Sequence, residues 1–441
     1  MNGLMQIFWS YLQTKYLRKF NSRQELEKWQ EEQVKKFLHQ IIPQSKFYQT
    51  YYKGLDIANW RDFPTINKSI MMDNFDDLNT VGISKQQAFD IALQAEKSRY
   101  FASTLNGFTI GMSSGTSGNR GLFIVSQQEQ QKWAGAILAK GLPTSILQPQ
   151  KIAFFLRANS NLYQTVKRQH IQFEYFDLFE PVESNLQRLN NYQPSILVAP
   201  PSMLRIIAAS QENQTLKINP RKIISVAEVL DPIDNQYISQ VFGQIIHQFY
   251  QCTEGFLGYT CKYGTLHLNE DILVIQKQYI DKDKGKFMPI ITDFNRRSQP
   301  IIRYCLNDIL TEAQQPCLCG SNLTAIASIE GRQDDIFYLP HISQGKLQPI
   351  FPDFIRRAII SASSKILEYQ VIQVSLNMIE IELKLSGGTN KAEIESSICQ
   401  KMETLFTSQN CQIPQIVFKN YSPCTKHHQK LRRVRCNLEI N

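Results

Sequence analysis

Apolar positions near the start of the chain recur at helical spacing. Ile7, Phe8, Tyr11, Leu12, Tyr16 and Leu17 form one stripe; Leu26, Trp29, Val34, Phe37, Leu38 and Ile41 form a second, which Pro43 ends. Both predict helices whose apolar faces pack on a larger body rather than lie on a membrane. The aromatic cluster Phe47, Tyr48, Tyr51 and Tyr52 leads to Phe63-Pro64, a helix stop. Thr65 or Asn67 then caps a helix around Ile70 to Leu78, and the segment through Lys68 reads as packing.

From residue 122 the pattern alternates. Leu122 to Val125 reads as a strand and Glu129 to Lys140 as a helix that stops at Gly141 and Pro143. Strands are expected at Lys151–Leu156, Phe173–Phe179, Ser195–Ala199, Lys222–Val226 and Ile245–Tyr250. Helices are expected between them at Asn161–His170, Glu183–Asn190, Ser202–Ser210 (opened by Pro200-Pro201) and Ile233–Phe242. This rhythm predicts an α/β fold with a mainly parallel sheet, covered by helices on both faces. Ligands on such sheets sit beyond the carboxyl ends of the strands, here the loops after Ala199, Val226 and Tyr250. The last hundred or so residues follow another order, with helices at Pro352–Ser363 and Lys391–Phe406 and strands at Glu368–Val374, Met378–Leu385 and Gln415–Phe418. They predict a small α+β domain, residues 335–441, behind a polar hinge that ends a large domain, residues 1–334, whose first 80 residues are helical.

Composition narrows the class. The 441 residues are 42% hydrophobic and 20% charged, as in ordinary globular proteins. The net charge of +9 is diffuse, which favours anionic small molecules or an acidic carrier over nucleic acid. No apolar run reaches the length of a membrane span, and no signal peptide is read at the start. Nine scattered cysteines fit a reducing cytoplasm with free or metal-bound thiols.

Two stretches carry candidate chemistry. In Met112-Ser113-Ser114-Gly115-Thr116-Ser117-Gly118-Asn119-Arg120-Gly121, glycines and hydroxyls alternate, so several N–H and O–H groups can face one anion. A Walker A register does not fit it. Thr253-Glu254, after the Ile245–Tyr250 strand, can hold Mg²⁺ against a phosphate or serve only as a helix cap. Ala227-Glu228 offers a second polar turn with the same two readings.

Ser114-Gly115-Thr116-Ser117-Gly118, Tyr250-Gln251-Cys252-Thr253-Glu254, Tyr304 with Asp308, Gly331-Arg332-Gln333-Asp334 and the late Lys430 occur in that order. In this the chain resembles the acyl- and aryl-adenylate-forming ligases, in particular the phenylacetate–coenzyme A ligase-like and CapK-like proteins, with the synthetases that adenylylate a deazaflavin coenzyme. The likeness spans nearly the whole chain. It implies that residues Ser113 to Gly118 hold the ATP β- and γ-phosphates, that Thr253 meets the α-phosphate and Glu254 the Mg²⁺, and that Asp308 and Arg332 bind the ribose. Tyr250 and Glu228 join the nucleotide site, Asp334 marks the hinge, and Lys430 bridges carboxylate and α-phosphate. The chain departs from the pattern at Asn119, where a lysine is usual and Arg120 follows as a substitute charge. It departs again at Gln429, where a glycine is usual; Arg432 or Arg433 is a stand-in for Lys430.

Cys261, His267, Cys317 and Cys319 lie in two short segments, which suits either a closed tetrahedral zinc site or buried free thiols. The resemblance favours structural zinc, because some relatives carry it at a similar arrangement. The implied activity is ATP-dependent activation of a small-molecule carboxylic acid as acyl-AMP, then transfer to coenzyme A or to the phosphopantetheine of an acyl carrier protein. Transfer of AMP to a hydroxyl and a non-catalytic nucleotide binder are the rivals. The aromatic Phe173-Glu174-Tyr175-Phe176 segment suits an aryl acid or simple core packing.

Overall fold

The computed structural model describes residues 3–100, 104–113, 120–156, 170–421 and 432–438. Its centre is a twelve-stranded sheet. Five strands run parallel in the order β5-β4-β6-β7-β8: β4 (Gln150–Leu156), β5 (Ile171–Asp177), β6 (Ile196–Ala199), β7 (Lys222–Ser225) and β8 (Ile246–Cys252). Beyond β8 the sheet turns antiparallel through β9 (Gly255–Thr260), β10 (Leu266–Leu268), β15 (Ala325–Arg332), β14 (Asp308–Glu312), β12 (Lys286–Asp293) and β11 (Val274–Asp281), with β13 (Ile301–Cys305) on β12. The parallel half matches the alternation in the sequence; β5 starts two residues earlier than the pattern indicates. The expected Asn161–His170 helix falls, but for His170, outside the described residues.

Strand parity sorts the parallel half into two cores. Ala153, Phe155, Leu197 and Ile223 face the Val182–Tyr192, Pro201–Glu212 and Pro232–Phe242 helices. Ile152, Phe154, Ile196, Val198 and Ile224 face the Gln127–Gly141 helix. That helix opens with a capping box, Ser126 accepting from the Glu129 N–H. Its outer side is covered by the Gly3–Leu12 helix, and the approach is close enough that a Cβ at Gly135 would lie 2.6 Å from the Ile7 carbonyl. Ile7 and Tyr11 are buried there as the apolar stripe predicts, but Phe8, Tyr16 and Leu17 of the same stripe are exposed. The helix expected from Ile70 to Leu78 is two short ones, Lys68–Asp73 and Phe75–Leu78, broken where Asn74 leaves helical geometry; Asn67 is the cap. A three-stranded sheet, β1 (Thr104–Leu105), β2 (Phe108–Met112) and β3 (Leu122–Val125), carries the glycine-rich segment between its last two strands.

The C-terminal domain has its own core, in which Phe337, Ile355, Tyr369, Ile381 and Phe406 are fully or almost fully buried. Beside the β16–β17 hairpin (Phe337–Pro340 and Leu347–Ile350), its four-stranded sheet runs β20-β19-β18-β21 (Gln415–Asn420, Met378–Leu385, Ile366–Ser375, Val434–Cys436). The Pro352–Ala362 and Lys391–Ser408 helices pack together in this domain. It docks on the start of the Pro232–Phe242 helix through buried charge. Arg433 donates to both oxygens of Asp234 at 2.6 and 2.7 Å, and Tyr369 Oη donates to Asp231 at 2.8 Å. Arg356 lies 4.0 Å from Asp231.

Candidate active site

A cavity of about 1540 Å³ opens at the carboxyl ends of β6, β7 and β8, where the parallel sheet predicts a ligand. Its polar end is built by the turn from β8 to β9. Glu254 is buried there, and both its oxygens accept hydrogen bonds, from Tyr304 Oη at 2.9 Å and from Thr253 Oγ1 at 2.8 Å. Arg296 donates to the Thr253 carbonyl at 3.1 Å and fixes the turn from beneath. Burial, followed by the nearby Glu254 charge, pushes the Tyr304 pKa well up, so the phenol stays a neutral donor. A carboxylate with two accepted bonds keeps further lone pairs for a cation, so Glu254 can hold Mg²⁺.

The neighbouring strands supply the second wall. Asp308 and Arg332 are register partners on β14 and β15, with Arg332 Nε 3.8 Å from Asp308 Oδ1. Tyr250 Oη donates to Asp308 Oδ2 at 2.7 Å, and burial followed by that carboxylate raises its pKa. The structure therefore brings Thr253, Glu254, Tyr250, Asp308 and Arg332 to one cavity. Asp334 lines it too and accepts from Asn307 Nδ2 at 3.1 Å; Asp335 beside it pairs with Arg432.

Other expected residues have different roles or lie elsewhere. Ser113 closes the base of the β2–β3 connection, its N–H donating to the Gly121 carbonyl and its Oγ accepting from the Gly121 N–H, both at 2.7 Å. Arg120 pairs with Glu96 at 2.6 Å on the cavity rim. Glu228 accepts from the Ser202 N–H and Oγ at 3.2 Å and so caps the Pro201–Glu212 helix while lining the cavity. Ala227 beside it is held at φ +68°, a left-handed conformation that is uncommon outside glycine. Ser114, Gly115, Thr116, Ser117, Gly118 and Lys430 lie outside the described residues, as do Asn119 and Gln429.

One cation escapes a reading of the sequence. Lys68, at the start of its short helix, reaches into the cavity and donates to Ser113 Oγ at 3.4 Å. Burial lowers its pKa, partly offset by Glu254; Arg332 lowers it further and Asp334 raises it. A lysine just after a helix cap looks like solvated surface, and these partners are distant in sequence. Only the cap at Asn67 could have marked the position.

Cys261, His267, Cys317 and Cys319 also converge, but away from the described lining of this cavity: their ligand atoms all lie within 4.8 Å of one another. Cys261 Sγ is 3.7 Å from Cys317 Sγ, close to the roughly 3.8 Å between thiolates of a tetrahedral zinc with Zn–S bonds near 2.3 Å. Two similar turns present the thiols. In each, an N–H two residues on donates to sulfur (Tyr263 to Cys261, Cys319 to Cys317), and a glycine with positive φ follows (Gly264 and Gly320). His267 is fully buried, with Nδ1 3.1 Å from the Leu323 carbonyl and Nε2 3.3 Å from Cys319 Sγ. A carbonyl behind the imidazole that sets its tautomer is what a metal-ligating histidine requires. The donor set fits a closed zinc site.

The chain has the fold of the adenylate-forming ligases. Superposed on a crystal structure of 2-hydroxyisobutyryl-CoA ligase in the postadenylation state with its acyl-AMP, it gives a TM-score of 0.71 at 15% identity over 95% of this chain and 91% of that one. Against the same ligase in the thioesterification state the TM-score is 0.56 at 16% identity, covering 95% and 91%. The acyl acid amido synthetase GH3.15 gives 0.56 at 12% identity, covering 90% and 87%. No family model matches the sequence, and no curated protein matches it.

Proposed function

We propose that the protein is an ATP-dependent enzyme that activates a carboxylic acid as acyl-AMP with release of pyrophosphate. The observation that carries this reading is the convergence of Thr253, Glu254, Tyr304, Asp308, Arg332 and Lys68 on one cavity at the strand ends. Asp308 and Arg332 are assigned to the ribose hydroxyls, Thr253 to the α-phosphate, and the Ser113–Gly118 segment with Lys68 to the outer phosphates. Lys68 reaches Ser113 at the start of that segment, so it supplies phosphate charge that Arg120, committed to Glu96, does not. Glu254, oriented by Tyr304 and Thr253, is the residue that holds Mg²⁺, which neutralises phosphate charge when bound. Lys430 is assigned to the carboxylate and α-phosphate as charge develops between them.

The acceptor in the second step is assigned to a thiol, coenzyme A or a carrier's phosphopantetheine. The named neighbours with this fold include a CoA ligase crystallised with an acyl-AMP and CoA. Residues 335–441 act as the lid, turning at Asp334 between the two steps. Zinc held by Cys261, His267, Cys317 and Cys319 is structural, since four protein ligands leave no open position. A phenylacetate–CoA ligase-like identity and a cytoplasmic setting, where thiols stay reduced, belong to the same proposal.

The test is acid-dependent pyrophosphate release from ATP, with and without coenzyme A, for the unmodified protein, Glu254→Gln and Lys430→Ala. Release that needs an acid and drops at least a hundredfold in both variants supports adenylation. Release that needs a hydroxyl compound instead moves the assignment to an adenylyltransferase, and ATP binding without any release moves it to a non-catalytic binder.

A further inference from the structure

The cavity does not end at the nucleotide site. It continues beneath the Gln127–Gly141 helix along one face of the parallel sheet. On the helix side it is lined by Trp133, Ala136, Ile137 and Gly141, which share one face at intervals of three and four residues. On the sheet side the lining descends rung by rung. Leu156 and Val226 stand at the strand ends, Phe154, Val198 and Ile224 one rung down, and Ile152 and Ile196 at the bottom. From Leu156 to Ile152 is four residues, so at ~3.3 Å each the arm runs about 13 Å below the strand ends.

This space is built in. Small residues at Ala136 and Gly141 leave the helix face shallow, and a Cβ at Gly141 would come within 3.1 Å of Phe249. The helix cannot sink onto the sheet to fill the gap, because at Gly141 it already rests against the Phe249 ring. Of the charged lining residues near this helix, Glu129, Lys132, Asp293, Arg296 and Arg297 belong to its N-terminal end or to the loop beside that end, and Arg18 is held by the Asp271 carbonyl. Deeper, the named lining is apolar. The charges of Lys140 and Lys222, which are not among the described lining residues, are tied to Asp271 and to the Lys140 carbonyl.

Resting on the adenylation reading, we propose that the acid is an unbranched, long-chain aliphatic carboxylic acid, its carboxylate beside Thr253 and Glu254 and its chain running under the Gln127–Gly141 helix. Carbon–carbon bonds of ~1.5 Å advance ~1.3 Å per atom in an extended zigzag, so about ten methylenes fill the arm below the strand ends. Preference for each methylene rises about fourfold up to that depth, the equilibrium counterpart of burying one CH₂, and then stops rising.

The test measures pyrophosphate release with saturated acids from butanoate to hexadecanoate, alongside calorimetric binding of dodecanoate to the unmodified protein without ATP. Val198→Phe and Ile196→Phe each plug the arm, two residues apart, so their chain-length cut-offs should differ by about five methylenes, with the Val198 variant shorter. Ala136→Phe from the helix wall serves where either variant fails to fold, and its cut-off should also shorten. Rising preference with length and ordered cut-offs support the proposal. Dodecanoate that does not bind, with release confined to short, branched or aryl acids, overturns it and leaves adenylation intact. Dodecanoate that binds without any release overturns adenylation instead. Unshifted cut-offs in folded variants overturn the placement of the chain.

Discussion

Arg433→Met tests whether the docked domain arrangement depends on buried charge. The substitution removes the guanidinium that reaches both Asp234 oxygens, in a pair whose side chains are 4% and 1% exposed. Asp231 also loses Arg433 at 3.8 Å but keeps the Tyr369 hydroxyl and Arg356. Breaking a buried pair by deleting one partner costs ~3–5 kcal/mol. Asp234 retains Arg205 at 2.9 Å, which places the loss at the lower end, about 3 kcal/mol, or on the order of a hundredfold in the docking equilibrium. Small-angle scattering should then show a larger radius of gyration, and acid-dependent pyrophosphate release should fall by one to two orders of magnitude. Adding Asp234→Asn removes the stranded charge and should recover part of both signals. If Arg433→Met scatters and turns over like the unmodified protein, the ion-pair cluster does not hold the domains and the reasoning is refuted.

Tyr304→Phe removes one donor to the Glu254 carboxylate, a bond worth ~1.5–3 kcal/mol to a charged group, and should weaken Mg²⁺-dependent ATP use by ten- to a hundredfold while the melting temperature holds. Cys317→Ser should lose bound zinc by elemental analysis and lower the melting temperature, and a chelator should do the same to the unmodified protein. Asp293 is buried, and desolvation pushes its pKa up to about 6 despite Arg296. A carboxyl held above its unfolded value favours the folded state when protonated, so its contribution is present at low pH and is lost as pH rises through about 6. The climb from an ordinary aspartate value of about 4 is worth about 3 kcal/mol, so Asp293→Asn should unfold at higher urea than the unmodified protein at about pH 7.5, with the gap closing at about pH 4.

The parallel half of the sheet was legible because its strands are short apolar runs punctuated by proline and glycine, and its helices begin at recognisable caps. Pro201 at a helix start and Gly243 with φ +64° at a helix end stand where those rules put them. The antiparallel half was not, since its buried faces include charge: Lys286 on β12 and Glu330 on β15 pair at 2.7 Å inside the sheet and break the expected alternation. The Lys85–Ser98 helix escaped notice although Ser84 and Gln87 form a capping box. At the site, Thr253, Glu254, Asp308 and Arg332 were legible as short motifs in order. Lys68 and Tyr304's grip on Glu254 were not, because each is a contact between segments tens of residues or more apart. Glu129 hides in the same way: it reads as a capping glutamate, yet it also accepts from the Arg297 and Ser298 N–H groups next to Arg296.

The cysteine–histidine cluster bears on how faithfully neighbouring strands are aligned. β10 has three residues, pairing with β15 only at Leu266↔Ile326 and His267↔Ala325. So brief a ladder specifies its alignment weakly, and a slip by one residue would turn every side chain of the moving strand to the opposite face. Arg332 lies on that same β15, opposite Asp308. A metal held by Cys261 and His267 on one side and Cys317 and Cys319 on the other would make the alignment a matter of coordination geometry rather than of three residues' hydrogen bonds. A metal in the cluster would therefore secure the β10 side of β15, the side away from the β14 ladder that pairs Arg332 with Asp308.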